Sequence, residues 1–172
     1  NRTSVRADAW VAEHSGTAFA TPREVAANSD IVMLCVGNDA DVRAVVMGPD
    51  GVLAGAHPGL IVVDHTTTSA ELAREISLAC SAAGVGFVDA PVSGGQAGAI
   101  NGALTVMCGA DSESVFADVE VVAAAYSRSC VRLGNAGSGQ LAKMVNQICI
   151  AGVVQGLAEG LAFATKAGLD AH

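Results

Sequence analysis

Ile31-Val32-Met33-Leu34-Cys35-Val36 and Leu60-Ile61-Val62-Val63-Asp64 are short, nearly unbroken apolar runs, and a helical pattern stands between them. Val85–Asp89, Leu104–Cys108 and Ser129–Leu133 repeat the theme further along the chain. Strands without polar alternation are buried on both faces, which is the condition of a parallel sheet covered by helices. The alternation of strand and helix reads as α/β with βαβ crossovers.

The helices announce their ends. Thr21-Pro22 sets an N-cap residue before a proline at the first helical position and opens a short helix to Asn28. Asp39 is expected to cap a helix running to Val46, and Gly48-Pro49-Asp50-Gly51 is a turn by composition. Ser69 precedes a helix that Gly84 closes, and Asp111 opens another over Ser112 to Ala125. After Leu133 the pattern changes. Gly134 to Gly139 is a flexible, capping stretch, and from about Ser138 to Lys166 only scattered glycines interrupt a helix. Such a helix is roughly 40 Å long at 1.5 Å per residue, too long to cover a sheet. Residues 1–134 are therefore expected to form one α/β domain, and residues 135–172 the start of a second, helical domain. Both ends look cut: no strand precedes Asn1-Arg2-Thr3, and Gly168 to His172 begins a helix cap and stops. The sequence is read as a piece of a larger protein.

Composition narrows the function. The chain has 172 residues with 9 Lys+Arg against 17 Asp+Glu, a formal charge of −8. Half of it is hydrophobic, 51%, so it is not a disordered chain. An acidic balance argues against nucleic acid and against an anionic membrane surface as partners. Gly152, Gln155, Gly156, Glu159 and Gly160 interrupt the longest apolar stretch, Ile148 to Leu161, so no membrane span is expected. No signal peptide is visible at the start. Five widely spaced cysteines, with no Cys/His cluster at ligand spacing, read as buried thiols of a reduced cytoplasmic protein without a metal.

Four stretches can carry chemistry. In Asp89-Ala90-Pro91-Val92-Ser93-Gly94-Gly95, a strand ends in a hydroxyl and two glycines, which can expose backbone N–H groups to an anion such as a carboxylate. The same residues also read as a plain turn into a hairpin. On a helix, Lys143, Asn146 and Gln147 share one face, among Leu141, Met144, Val145 and Ile148. Lys143 either snorkels outward or sits in a cleft and transfers protons. Val36-Gly37-Asn38 and Asp64-His65-Thr66-Thr67-Thr68 follow strands and either line a cofactor edge or are loops. Asn1-Arg2-Thr3 has an arginine and no acid where an acid would hold a ribose 2′-hydroxyl, and an arginine suits a 2′-phosphate. His65 and Cys108 are read as structural.

Together these residues resemble the β-hydroxyacid dehydrogenase family, which includes 3-hydroxyisobutyrate dehydrogenase and tartronate semialdehyde reductase. Asp89–Ala110, DAPVSGGQAGAINGALTVMCGA, is similar to the family's substrate-binding stretch, and Gly137–Gln147, GSGQLAKMVNQ, to its catalytic-lysine helix. The match runs the whole length of the chain. It implies a Rossmann-type doubly wound sheet, here without its first βα unit, followed by a long interdomain helix that starts an all-α domain. It implies Lys143 as general acid/base, and Ser93, Gly94 and Gly95 as carboxylate anchors, with Asn146 or Gln147 orienting the substrate hydroxyl. It implies a nicotinamide cofactor along Asn1, Arg2, Thr3, Val36, Gly37 and Thr67, with Arg2 favouring NADP(H) over NAD(H). The substrate would be a small carboxylate, and the assembly a homo-oligomer. Asn146-Gln147 looks more like the tartronate semialdehyde reductase branch, while Ala103 stands where threonine is usual. Two related groups are the alternatives: imine reductases and non-catalytic binding modules. Both replace the lysine that is present here as Lys143.

Overall fold

The computed structural model describes residues 3–170. Three parallel strands form the first half of the sheet: β1 (Ile31–Leu34), β2 (Ile61–Asp64) and β3 (Gly86–Asp89). Helices α1 (Ser4–His14), α2 (Pro22–Ala27), α3 (Asp39–Met47) and α4 (Ala70–Ala82) precede or join them. The second half holds β4 (Val92–Ser93), α5 (Gly95–Ile100), β5 (Leu104–Gly109), α6 (Glu113–Ala123) and β6 (Ser127–Gly134). The helix α7 (Ser138–Lys166) follows, 29 residues long.

The sheet has six strands and is mixed, not parallel throughout. β5 runs antiparallel to β3 and β4 and parallel to β6. The reason lies at Ala90-Pro91. The chain bends there, leaves β2, and pairs Val92 with Val106 and Ser93 with Thr105. The hairpin reading of this stretch holds for the pairing. Its connection, however, contains the short helix α5 rather than a tight turn alone.

Alternation along the strands sorts the core onto two faces. Val32, Leu34, Val62 and Phe87 meet α3 and α4 residues such as Val42, Val46, Leu72 and Ile76 on one face. Ile61, Val63, Val88 and Val106 meet Val119 of α6 on the other. Caps act as the sequence indicates at α2, where Thr21 and Glu24 form a reciprocal capping box, and at α4, where the Ser69 hydroxyl accepts the Leu72 N–H. At α3 the cap is Asn38, which accepts the Asp41 N–H, and not Asp39. The Asp39 carboxylate instead accepts the hydroxyl and N–H of Ser69, tying α3 to the start of α4.

α7 runs straight through the glycines that interrupt its apolar pattern and is about 43 Å long. By length and composition it is apolar enough to cross a membrane, contrary to the expectation from sequence, although composition alone does not make it a span.

Candidate active site at the strand ends

The carboxyl ends of β1, β2 and β3 lie side by side, where ligands sit in open α/β sheets. Past β1, Val36 donates its N–H to the Thr66 hydroxyl at 3.0 Å, which joins the first loop to the second. Past β2, the Asp64 carboxylate accepts the Thr66 N–H at 2.8 Å. Burial pushes the Asp64 carboxyl up to about 6, with its bonds to Thr66 opposing the shift. Thr67 is exposed between two buried threonines. The Thr68 hydroxyl is buried with no partner. An open cleft of about 740 Å³ runs along β1, an edge strand of the sheet, past Val32, Met33, Leu34 and Cys35, and ends at Val36 and Gly37, with Thr3, Arg6 and Phe19 across from them. The exposed Gly37 and Thr67 and the orphaned Thr68 hydroxyl stand just past the carboxyl ends of β1 and β2, and those groups fit a nicotinamide dinucleotide's edge.

The start of α7 is pinned to the same strand ends. Its N-cap, Gly137, has no side chain to satisfy the free N–H groups of the first turn. Asp89, fully buried, supplies the cap from β3: its carboxylate accepts the Gly137 N–H at 2.7 Å and the Gln140 N–H at 3.0 Å. Burial raises the Asp89 carboxyl above its ordinary range, and these N–H groups pull it back. Gln140, also fully buried, accepts the Thr68 N–H at 3.0 Å and donates to the Thr66 carbonyl at 2.7 Å. Its amide stands in for a neighbouring strand. Gly139 must be glycine, because a Cβ there would collide with the Met107 carbonyl oxygen.

Two of the expected stretches touch β5. Ser93 pairs with Thr105, and Gly139 abuts Met107 two residues further along the same strand. Lys143 lies one turn beyond Gly139 on α7. Ser93 is half-buried, while Gly94 and Gly95 are exposed at φ +133° and +60°, conformations that favour glycine. Lys143 and Asn146 are half-buried and Gln147 is exposed, with the Asn146 amide donating to the Gln147 side chain at 3.3 Å. Val36, Gly37 and Thr3 line the open cleft, and Thr67 is exposed past the end of β2 outside its lining. Asn1 and Arg2 lie outside the described residues.

Sequence reasoning missed Asp64, Asp89 and Gln140. Each lies inside a quoted stretch, but its partners come from more than 45 residues away for Asp89 and Gln140. The available signal was an acid closing each of two adjacent apolar runs, which burial makes costly unless it is bonded.

These features define a dinucleotide-binding α/β domain joined to a lysine-bearing helix. Residues 1–134 match the family model described as the NAD binding domain of 6-phosphogluconate dehydrogenase. Residues 137–172 match the NAD-binding region of NADP-dependent 3-hydroxyisobutyrate dehydrogenase. The chain belongs to the β-hydroxyacid dehydrogenase family. An uncharacterized oxidoreductase of Shewanella frigidimarina is 58% identical over 170 residues, covering 99% of this chain and 58% of its own length. The 3-hydroxyisobutyrate dehydrogenase of Mycobacterium tuberculosis, solved with L-serine, superposes with a TM-score of 0.89 at 32% identity, covering 98% of this chain and 56% of that one. An imine reductase variant from Myxococcus stipitatus, in complex with NAD+, superposes at 0.85 over 98% of this chain and 57% of that one. At 19% identity it shows the shared fold alone. The chain thus spans under two thirds of the length of these relatives.

Proposed function

We propose that the protein is an NAD(P)-dependent dehydrogenase or semialdehyde reductase acting on small 3-hydroxy acids, with Lys143 as general acid/base. One observation carries this reading. The first turn of α7 is bonded to the ends of β2 and β3 through Gln140 and Asp89, and Lys143 follows one turn later. A lysine on so tightly indexed a helix suits proton transfer, which needs geometry first.

Val36, Gly37 and Thr67 would hold the dinucleotide, with Thr3 toward its ribose, and an arginine in the Asn1-Arg2-Thr3 stretch favours NADP(H). A nicotinamide held there would supply the hydride chemistry at the hydroxyl-bearing carbon. The Ser93 hydroxyl and the Gly94 and Gly95 N–H groups hold the substrate carboxylate, and Asn146 or Gln147 orients its hydroxyl. Lys143 Nζ gives a proton to the carbonyl oxygen in reduction and receives it in oxidation. No metal enters this chemistry. The exposed apolar length of α7 supports a homo-oligomer. Of the five thiols expected to be buried only Cys80 and Cys108 are, while Cys35 and Cys149 are exposed; all five are free, which is in keeping with the cytoplasm. Lys143 also weighs against the imine reductase and binding-module readings.

The test is Lys143→Ala in the intact enzyme. Turnover of 3-hydroxyisobutyrate or tartronate semialdehyde should fall by about 10²–10⁴-fold, with NADPH affinity measured by fluorescence unchanged. Retained turnover removes Lys143 from the mechanism.

A further inference from the structure

His65 is a residue the proposed chemistry does not use. It stands immediately after β2, half-buried, and both ring nitrogens are engaged. Nδ1 lies 2.6 Å from the Ala90 carbonyl oxygen. A carbonyl can only accept, so Nδ1 carries the proton. In the neutral ring Nε2 then accepts, and the Tyr126 hydroxyl is 3.1 Å away to donate. The two rings meet edge to face at 5.6 Å. Burial lowers the imidazole pKa below its ordinary 6.5, which keeps the ring neutral near pH 7.

The position of this bond matters. β2 and β3 pair in parallel up to Asp64 and Asp89, and the Ala90 N–H still reaches the Asp64 carbonyl. The next rung of a parallel ladder would join the Thr66 N–H to the Ala90 carbonyl. That rung is missing, because the Thr66 N–H turns back to the Asp64 carboxylate. The His65 imidazole takes the vacated acceptor. Ala90 is also where the chain leaves β2 and bends through Pro91 into β4, whose next residues are Ser93, Gly94 and Gly95.

We propose that His65 is a positioning residue for the substrate loop: its bond to the Ala90 carbonyl fixes the bend from which β4 presents Ser93, Gly94 and Gly95. The proposal rests on the reading of those three residues as the carboxylate anchor. Tyr126, just before β6, buttresses the ring with its hydroxyl, while its carbonyl accepts the Leu104 N–H at 3.3 Å, a bond that phenylalanine at 126 keeps.

Four variants of the intact enzyme separate the bonds. His65→Leu removes both. His65→Asn places an amide N–H close to where Nδ1 stood, and His65→Gln reaches toward Tyr126 instead. Tyr126→Phe removes only the outer bond. With 3-hydroxyisobutyrate and NADP+ as probes, His65→Leu and His65→Gln should raise the KM of the acid about tenfold, with kcat within about threefold and the KM of NADP+ unchanged. His65→Asn and Tyr126→Phe should stay within about twofold of the parent. An unchanged acid KM in His65→Leu, or His65→Asn impaired as much as His65→Gln, overturns the proposal, as does an equal rise in the KM of NADP+. Where His65→Leu does not fold, the contrast between His65→Asn and His65→Gln decides. A second readout does not need turnover. In protein labelled with ¹⁵N-glycine, the Gly94 and Gly95 amide signals should move in His65→Gln and hold in His65→Asn. If the parent turns over neither 3-hydroxyisobutyrate nor tartronate semialdehyde, the functional reading fails, and these signals judge His65 by themselves.

Discussion

Asp64 and Asp89 face each other in register at the ends of neighbouring parallel strands, both buried, and their partners give them different work. Asp89 caps a helix and Asp64 turns a loop. The Asp64 carboxyl rises from 3.8 to about 6, chiefly through burial. Its folded form therefore binds a proton more tightly than the unfolded chain does. The stability this contributes is fully present below pH 3.8 and is lost as pH climbs toward 6. Asp64→Asn keeps an oxygen for the Thr66 N–H and cannot ionise. It should be more stable than the parent at pH 7, by up to about 3 kcal/mol. Its thermal midpoint should also lack the parent's decline between pH 4 and 6, as calorimetry across that range can check. At this scale the sequence offered residue types without partners. The positive φ of Gly94 and Gly95 was foreseeable from their identity, whereas the bond from Asp89 to Gly137 crosses 48 positions of sequence.

Among the elements, α7 is the informative one. Its N-terminus lacks a side-chain cap of its own, and Asp89 supplies one from the sheet. An anion there meets the positive end of the helix dipole as well as two N–H groups. Gln140 then bonds the loop that carries Thr67. Gln140→Ala leaves the Thr68 N–H and the Thr66 carbonyl buried and unpaired. It should lower stability by about 2–6 kcal/mol in urea unfolding, since each of the two orphaned groups costs about 1–3 kcal/mol. A loss below about 0.5 kcal/mol would mean that water satisfies both groups. Helix ends that rely on neighbours in sequence were legible: Thr21 with Glu24, and Ser69 with Leu72. Asp39 was placed one position out of role, because Asn38 and Asp39 are both good caps and only the approach of Ser69 selects between them.

For the whole molecule, the open question in the chain itself is what meets α7. Only Gly139 and Gln140 of its 29 residues are buried. Val153 is 70% exposed and Leu157 62%, one turn apart, with Ile150, Val154 and Leu161 also bare. Apolar surface on that scale is a face for another element to cover, either further helices of the same domain or a second subunit. If α7 carries the proposed subunit contact, replacing Val153 and Leu157 together by Glu lowers the solution mass of the intact enzyme measured by light scattering, and an unchanged mass removes α7 from that contact. The stability of the sheet should change by about 0.5 kcal/mol or less, as for surface substitutions elsewhere.

The sequence by itself determined the α/β class, the five main strands, most of the helix ends and the two stretches that place the chain in its family. Those signals are local: apolar runs, caps, glycines and the spacing along one helix face. Tertiary structure alone decided the antiparallel turn of β5, the docking of α7 on Asp89 and Gln140, and the seat of His65 against Ala90. Each of these depends on which buried polar group finds which partner across the sheet. Burial makes that pairing obligatory, and no local pattern in the chain encodes the partner.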